Sequence, residues 1–574
     1  MRRFAFAAAL VAGLVLAIVG SAVARPDGGA ASQAQQATTT IQFLTVSDWH
    51  GQLVPVSGVG GAAFLKTYFD EFRAANPNTL TFMAGDSFGA TPPISNFFED
   101  EPAVIGQRML GIDADTFGNH NFDRGIAHLQ RMVDLAGAPT STEAPGEPFE
   151  YLSANLKNLE DNLTGVDRWR MLEVGGVQVA VIGITNEEAP ELVFPGSFGT
   201  IEITDSIRAA NKAAIEAKKA GADVVVVLTH KGIRGFNTDG SAFGELVDFA
   251  NGVAAGQIDV IVGDHTDFTY SGVHQGRILA VENRSKGIQF AQILLEVDTK
   301  GKVVSKSVTF HTPTNAGKTP DAAIQAFIDD LNAQLQPILG QVVGSSEVPV
   351  LRSDSCGRAD SRLCESLVGN VVTDALREAY GTDFAITNSG GLRDALTCPH
   401  VAEGGFCPDP MPATPPFPIT RGGVVAVLRF GNVSTTTTLT GAEVKTFLEH
   451  GVSSMPGANG RFAQVSGLCF TYDIEAPVGS RVTSIVEQAA DGACTGPDIV
   501  AGTNYTVASN DFTLSGGDGY PNVISKSTTR NIMSQDLEAY VMAHSPISPT
   551  IQGRIVCTDP NLGAGNNCPP ITAP

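Results

Sequence analysis

The stretch TTTIQFLTVSDWHG, Thr38–Gly51, joins a β-prone run to two side chains that can bind metal. Threonines and large apolar residues dominate its first half, which favours a β-strand. Asp48 and His50 follow two positions apart, where the run gives way to Gly51. Residues i and i+2 of a strand point to the same face, so both side chains can reach one ion. Alone, the pair is also typical of a polar turn.

The same arrangement recurs four more times before residue 312. Carboxylate, amide or imidazole side chains follow a β-like run in AGDSFG (Asp86), GNHNFDRG (Asn119, His120, Asp123), LTHKG (His230) and GDHTDF (His265, Asp267). Helix-like stretches such as SIRAANKAAIEAKKAG alternate with these runs, which predicts an α/β domain. Open α/β sheets place ligands at the carboxyl ends of their strands, so we expect one shared site.

These residue types suit a two-metal phosphoesterase. Two divalent ions about 3.5–4 Å apart can bridge a hydroxide and screen the charge that builds during displacement at phosphorus. A carboxylate can bridge the ions, while histidine and asparagine complete open sites that leave room for water and substrate. The imidazole-rich set fits transition metals better than calcium, which disfavours a calcium-dependent structural module.

Composition and charge narrow the function classes. Residues 1–24 combine two arginines, an apolar run and the small-residue site Ala22-Val23-Ala24, which predicts a cleaved secretory signal peptide; an uncleaved anchor is the alternative. No later segment has the length and apolarity of a membrane span. We therefore expect a secreted protein, extracellular or in the periplasm or cell envelope. The formal net charge of −23 argues against nucleic acid as a partner.

All eight cysteines lie in the C-terminal half of the chain. An even number behind an export signal indicates disulfides formed in an oxidising compartment. Short loops close at the lowest entropic cost, which favours sequential pairing. The predicted bonds are Cys356–Cys364, Cys398–Cys407, Cys469–Cys494 and Cys557–Cys568. A zinc module is disfavoured because the chain has no C-x-x-C spacing.

The chain length and the order of these patterns predict at least two domains. A single core does not extend over 574 residues. Pro320 and apolar residues at helical spacing predict a connecting helix before residue 341. The predicted regions are a signal peptide (1–24), a flexible leader (25–40), an α/β domain (41–312), a linker helix (313–341), a second α/β domain (342–556) and a tail (557–574).

The ordered motifs D-x-H-G, G-D, G-N-H-x-F-D, H-x-G and G-x-H-T resemble those of calcineurin-like metallophosphatases. More specifically, they resemble the secreted two-domain 5′-nucleotidase family, over nearly the whole chain after residue 24, with GNHNFD as the most specific block. The resemblance implies a four-layer αββα metallophosphatase domain joined by a helix to an α/β substrate-binding domain. It also implies two divalent ions, Mn²⁺, Zn²⁺ or Mg²⁺, and hydrolysis of nucleoside 5′-monophosphates to nucleoside and phosphate.

The resemblance also assigns roles to the motif side chains. Asp48, His50 and Asp86 would hold the first ion, and Asp86 would bridge to a second ion completed by Asn119, His230 and His265. His120 would face the phosphate as an acid or transition-state donor, oriented by Asp123.

The motif GDHTDF departs from the family, which has glycine at position 264 and often Gln or Asn at position 267. Asp267 is therefore expected to be an additional ligand of the first ion. Such a carboxylate would favour Mn²⁺ or Mg²⁺ over Zn²⁺. Asp264 is expected to stand behind the ligands or in solvent.

Five blocks of the C-terminal half match the substrate-binding domain of the family: RLCESLVGNVVTDALR, ITNSGGLRDAL, VLRFGN, GRFAQVSGL and SNDFTLSGGDGYP. The resemblance implies that Phe430 and Phe512 sandwich the base, that Asp518 accepts hydrogen bonds from the ribose, and that Arg362, Asn388 and Arg393 contact phosphate or nucleoside. Without it, a phenylalanine in a strand indicates core packing. Arg429 stands where relatives often have proline, so a different pocket lip is expected.

Two other readings stay open on the sequence. The same centre could cleave UDP-sugars, dinucleotides or 2′,3′-cyclic nucleotides. A nucleotide-binding surface protein without activity is the non-enzyme alternative, although such a protein should have lost ligands, and here all motif ligands are present.

Overall fold

A computed structural model describes residues 37–402, 405–560 and 567–571. The predicted signal peptide and most of the predicted leader lie outside these residues. The first strand nevertheless begins at Thr38, three residues before the predicted start of the first domain. Within the described part of the chain, no helix combines the length and apolarity needed to cross a membrane.

The N-terminal half alternates strands and helices as the sequence predicts. Its elements are β1 (Thr38–Val46), α1 (Ala62–Ala75), β2 (Thr79–Met83), α2 (Pro93–Asn96), α3 (Glu101–Leu110), β3 (Ala114–Asp115), α4 (Gly125–Gly137), β4 (Glu150–Tyr151), β5 (Leu156–Lys157), β6 (Trp169–Val174), β7 (Val177–Ile184), β8 (Glu202–Ile203), α5 (Ser206–Lys219), β9 (Val224–Thr229), β10 (Gly235–Phe236), β11 (Ala242–Phe243), α6 (Glu245–Gly252), β12 (Val260–Gly263), β13 (Tyr270–His274), β14 (Ile278–Glu282), β15 (Phe290–Asp298) and β16 (Val303–His311).

Two mixed six-stranded sheets form the centre of this half. The first has the order β16-β15-β1-β2-β3-β4, with parallel pairing from β1 to β4. The second has the order β13-β14-β12-β9-β7-β6, with parallel pairing from β14 to β7. Strand β9, VVVVLT, is buried along its whole length, as parallel strands covered on both faces require.

The layers follow from which apolar faces pack together. The inner faces of the two sheets share one core, in which Phe43 and Phe82 of the first sheet meet Val181 and Val226 of the second. Helices α1, α3 and α4 cover the outer face of the first sheet. Helices α5 and α6 cover the outer face of the second. This is the four-layer αββα sandwich that the resemblance implied.

The C-terminal half starts with the connecting helix. Its elements are α7 (Ala322–Leu339), β17 (Val342–Ser346), α8 (Leu367–Tyr380), β18 (Phe384–Asn388), β19 (Phe417–Thr420), α9 (Arg421–Val427), β20 (Val433–Thr440), α10 (Gly441–Gly451), β21 (Ala463–Ser466), β22 (Leu468–Asp473), β23 (Val482–Glu487), β24 (Asn504–Asn510), α11 (Asp511–Leu514), β25 (Thr528–Ile532), α12 (Met533–His544) and β26 (Ile555–Thr558).

Helix α7 lies within the segment predicted as the linker. It begins two residues after Pro320, because the side chain of Asp321 accepts hydrogen bonds from the backbone N–H groups of Ala323 and Ile324. Its buried face, including Ile324 and Leu331, packs into the outer core of the first sheet. The helix is therefore part of the N-terminal packing as well as a connection.

A mixed five-stranded sheet of order β21-β18-β24-β20-β25 organises the C-terminal half. Helices α8 and α12 pack on one side of it, and α10 packs on the other. A three-stranded sheet, β23-β22-β26, lies beside it. Strand β26 ends at Thr558, so the segment predicted as a tail begins inside a strand.

The four predicted disulfides are confirmed. The structure contains Cys356–Cys364, Cys398–Cys407, Cys469–Cys494 and Cys557–Cys568. The last bond ties residue 568 to β26, within the segment predicted as a tail.

Candidate metal centre

The five strand-end segments converge on one edge of the sandwich. Each candidate side chain follows a parallel strand: Asp48 follows β1, Asp86 follows β2, Asn119 follows β3, His230 follows β9 and His265 follows β12. Because the inner faces of the two sheets are packed together, loops from both sheets meet at this edge, as expected for an α/β fold.

His230 lies at the middle of the cluster and is fully buried. Its Nε2 lies 3.1 Å from Asp86 Oδ2 and 3.8 Å from Asp48 Oδ1. The same nitrogen is 3.0 Å from His265 Nδ1. His50 Nε2 approaches the cluster from the other side, 3.8 Å from Asp48 Oδ1.

The cluster contains three sets of side chains whose ligand atoms lie within 4.8 Å of one another. They are Asp48 with His50 and Asp86, Asp86 with His230 and His265, and Asp48 with His230 and Asp264. Asp86 belongs to the first two sets. A carboxylate shared by two sets has the position required of a bridging ligand.

Asn119, in the segment after β3, adds a buried amide oxygen to the possible ligands. Its side chain is only 2% exposed, and its buried Oδ1 has no hydrogen-bond donor among the residues that the structure describes. A buried amide oxygen without a partner is unfavourable, whereas a bound cation would satisfy it. The donor set of carboxylate, imidazole and amide therefore fits a metal site.

One nitrogen of each clustered imidazole is held by an acceptor behind it. This arrangement fixes the ring and leaves the other nitrogen free to face the site. The contacts are His50 Nδ1 to Gly89 O (2.9 Å), His120 Nδ1 to Asp123 Oδ2 (3.0 Å), His230 Nδ1 to Ala84 O (3.2 Å) and His265 Nε2 to Glu188 Oε1 (3.2 Å).

Burial and crowding shift the pKa values of these groups. Burial lowers the pKa of His50 to about 3, so its imidazole is neutral, as a metal ligand must be. Burial, together with Asp264, raises the pKa of Asp48 well above its usual value. Burial also opposes ionisation of Asp86, but His230 and His120 hold its pKa below the usual range. A divalent ion would relieve the repulsion between these carboxylates.

Several ligand positions adopt left-handed backbone conformations. The φ angles are 40° at Asp48, 49° at His50, 45° at Asp86 and 88° at His265. Each such residue costs about 1–3 kcal/mol and persists only where the surroundings enforce it. Here the His50 N–H donates to Asp86 O over 2.9 Å, which ties two of these turns together.

The first residue of the GNHNFD block, Gly118, has no room for a side chain. A Cβ at this position would lie 2.3 Å from Asp86 Oδ1 and 2.6 Å from His230 Cδ2. Any side chain would therefore displace two candidate ligands.

His120 and Asp123 form the contact that the sequence predicts, outside the three ligand sets. The His120 backbone N–H donates to Asp86 Oδ1 over 2.8 Å. Its ring stacks on Phe430 of the C-terminal half, with the centroids 5.6 Å apart and the planes 15° apart. Phe430, a residue of the C-terminal half, thus lies beside the candidate metal site.

Of the two aspartates of GDHTDF, Asp267 takes a position that differs from the sequence expectation, whereas Asp264 takes one of the two positions expected for it. Asp267 is turned away from the cluster because the N–H and Oγ–H of Ser285 donate to it, both over 2.8 Å, and its side chain is 45% exposed beside Arg284. Asp264 is buried, and one of the three sets includes it. Its Oδ2 accepts from the Asp48 N–H over 2.8 Å and lies 3.6 Å from His230 Nδ1. Asp264 Oδ1 accepts from the His265 N–H over 2.8 Å, so both oxygens hold backbone N–H groups of candidate ligand residues and Asp264 stands behind the ligands.

The candidate substrate residues form two groups. Near the metal site, the Arg393 guanidinium lies 5.4 Å from the centre of the Phe430 ring. Farther along, Asn388 Nδ2 donates to Asp518 Oδ2 over 2.9 Å. The ring of Phe512 lies on Gly517, where a Cβ would come within 2.4 Å of it.

Arg362 lies beside a carboxylate, with its Nε 3.7 Å from Asp360 Oδ2. Arg352, which sequence reasoning missed, stands beside it: burial and then Arg362 lower the pKa of Arg352 to about 10. Within the described part of the chain, its buried Nε has no hydrogen-bond acceptor. No motif marks this arginine.

Arg429 is buried between the two halves of the chain. Its side chain is 3% exposed, and its guanidinium donates to Ala90 O of the N-terminal half over 3.3 Å. Asn96 Nδ2 donates in turn to Arg429 O over 2.8 Å. Arg429 therefore joins the two halves.

The αββα sandwich and its buried Asp/His cluster define the chain as a metallophosphoesterase, here joined to a second α/β domain. Residues 342–525 match the family described as 5′-nucleotidase, C-terminal domain. The chain belongs to the 5′-nucleotidase family.

Relatives support this placement. The 5′-nucleotidase of Vibrio cholerae serotype O1 is 26% identical over 585 residues, covering 93% of this chain and 97% of that protein. Endonuclease YhcR of Bacillus subtilis is 30% identical over 544 residues, and the chain spans 41% of its length. The crystal structure of a 5′-nucleotidase precursor from Thermus thermophilus superposes with a TM-score of 0.73 at 25% identity, covering 90% of this chain and 99% of that one.

Proposed function

We propose that this protein hydrolyses nucleoside 5′-monophosphates to nucleoside and orthophosphate at a dinuclear metal centre. The position of Asp86 carries the proposal, because its carboxylate belongs both to the set with Asp48 and His50 and to the set with His230 and His265. Asn119, whose buried Oδ1 lacks a donor among the described residues, would complete the second set. When bound, two divalent ions would activate water and neutralise charge on the phosphoryl group.

His120 would act on the phosphate or the leaving oxygen. Its Nδ1 is held by Asp123, so Nε2 is the nitrogen that remains for the substrate. A proton at Nε2 would stabilise charge on the departing ribose oxygen or be transferred to it.

The C-terminal half would bind the rest of the nucleotide. Arg393 beside Phe430 supplies positive charge and an aromatic face at the metal site. Asp518 would accept hydrogen bonds from the ribose hydroxyls with Asn388 beside it, and Phe430 and Phe512 would provide the faces for the base. In a chain of net charge −23, such local cations are what attract a phosphate.

The surroundings of Arg352 favour a second candidate function, the cleavage of UDP-sugars or dinucleotides. Its guanidinium stands beside Arg362, and its buried Nε has no acceptor in the regions that the structure describes. An additional phosphate of a UDP-sugar or dinucleotide would pair with it. The same metal centre would then cleave a phosphate chain.

We also propose that the protein is secreted to the extracellular space or the cell envelope. Four disulfides persist in oxidising compartments and are rare in the cytosol.

A substrate panel with product analysis tests the proposed reaction. Metal-stripped protein is supplied with Mn²⁺, Zn²⁺, Mg²⁺ or Ca²⁺; orthophosphate release is measured with AMP, and the cleavage products of UDP-glucose, NAD and 2′,3′-cyclic AMP are separated by chromatography. We expect AMP to be the best substrate with a transition metal or Mg²⁺. Faster cleavage of UDP-glucose or NAD would favour the second candidate. Tight AMP binding without phosphate release under any condition would instead indicate a nucleotide-binding surface protein.

A further inference from the structure

Glu188 contacts the candidate metal ligand His265 from outside the cluster. It lies four residues after β7, in the turn before residues 189–191. Glu188 Oε1 is 3.2 Å from His265 Nε2. This hydrogen bond contributes to a lowered pKa of Glu188. Neither residue is fully buried: the side chains are 32% and 22% exposed.

The orientation of the His265 ring shows which nitrogen faces the cluster and which one contacts Glu188. His265 Nδ1 faces the cluster, 3.0 Å from His230 Nε2, and belongs with Asp86 and His230 to one ligand set. An imidazole that offers Nδ1 to an ion carries its proton on Nε2. Glu188 is placed to accept that proton in a hydrogen bond.

His265 depends on such support more than the other imidazoles do. His50 and His230 are buried and donate to backbone carbonyls that cannot move independently. His265 is the more exposed candidate ligand, with its side chain 22% exposed. Its ring is therefore not fixed by packing alone, and a side-chain acceptor has to hold it.

We propose that Glu188 is a positioning residue that holds His265 with Nδ1 toward the second ion and strengthens its binding of that ion. The inference rests on the proposed dinuclear function. Arg234 lies near the same carboxylate, with its Nη2 3.7 Å from Glu188 Oε2, so the carboxylate oxygen nearest His265 remains available to the ring.

The test measures metal binding directly. Metal-free wild type, Glu188→Ala, Glu188→Gln and the control Glu191→Gln are titrated with Mn²⁺ by calorimetry and electron paramagnetic resonance. Glu191 is an exposed residue of the same turn. We expect two ions in the wild type and the control, and second-ion affinity reduced about 10–100-fold in Glu188→Ala. Glu188→Gln should lose less, because its amide oxygen still accepts from His265 Nε2–H.

Two results would overturn the proposal. One is a Glu188→Ala variant that binds both ions as tightly as Glu191→Gln. The other is equal weakening in Glu188→Ala and Glu188→Gln with a lower melting temperature of both metal-free variants, which would indicate a general structural role. A wild type that binds fewer than two ions would refute the dinuclear function and this inference together, whereas an unchanged Glu188→Ala beside a two-ion wild type refutes only the role of Glu188.

Discussion

The substitution His120→Ala separates metal binding from catalysis. The His120 ring lies outside the three ligand sets. Its hydrogen bond to the candidate ligands comes from its backbone N–H, which donates to Asp86 Oδ1 over 2.8 Å, and its ring packs edge-on against His50 with the centroids 5.4 Å apart. Alanine keeps that N–H. The variant should therefore bind the same ions as the wild type.

The expected loss falls on turnover. A positioned acid or transition-state donor contributes about 10²–10⁴-fold, which corresponds to about 2.7–5.4 kcal/mol of activation free energy. Asp123 acts only through Nδ1 of the same ring, so Asp123→Asn should cost less. The double variant should be no slower than His120→Ala, because residues that act as a unit are not additive.

The assay combines phosphate release from AMP at saturating Mn²⁺ with metal content by mass spectrometry. His274→Ala is the control, since His274 hydrogen-bonds Tyr270 and Asn251 away from the ligand sets. Loss of the ions from His120→Ala would reassign His120 as a ligand. Wild-type turnover with the ions in place would refute the catalytic role.

Three further predictions concern the base, the metal and pH. Phe512→Ala should raise the KM for AMP about 5–150-fold, the loss of one base stack, with ribose 5-phosphate hydrolysis unchanged; equal effects on both substrates would contradict base stacking. Asp264→Asn should weaken Mn²⁺ binding about 10–100-fold, and calorimetry should show Asp267→Asn unchanged; the reverse order would restore Asp267 as the ligand. Burial raises the pKa of Glu282 from 4.5 to about 8. The native state then holds this proton more tightly than the unfolded chain, so the free energy of unfolding of metal-free protein should fall between pH 4.5 and 8. Urea denaturation of Glu282→Gln should lack this decline, and an equal decline in both proteins would show that another group causes it.

The sequence predicts that the candidate ligands converge at one edge of the sandwich, because two simple rules apply. Buried parallel strands are recognisable as continuous apolar runs, as in β9, and their carboxyl ends meet at one edge. Asp48, Asp86 and His230 were therefore predictable as neighbours. The disulfides were predictable for a similar reason, since short loops restrict the pairing.

Side-chain direction was not predictable, because distant residues decide it. Asp267 is drawn outward by the N–H and hydroxyl of Ser285, 18 positions along the chain. Arg429 reaches Ala90, 339 positions away. No local pattern contains either partner.

Glu188 is a different case, because a sequence signal existed. The segment VIGITNEE, like the five ligand segments, places carboxylates after a buried strand. It matches no motif of the family. The general strand-end rule would have included it.

We propose that Asp86 is shared by two ions that are both needed for hydrolysis. Metal-free wild type and Asp86→Ala are titrated with Mn²⁺ while phosphate release from AMP is followed in the same samples. We predict two ions per wild-type chain with activity rising as both bind, and neither full loading nor phosphate release in Asp86→Ala. Activity of the metal-free wild type, or two tightly bound ions and normal turnover in Asp86→Ala, would contradict the claim.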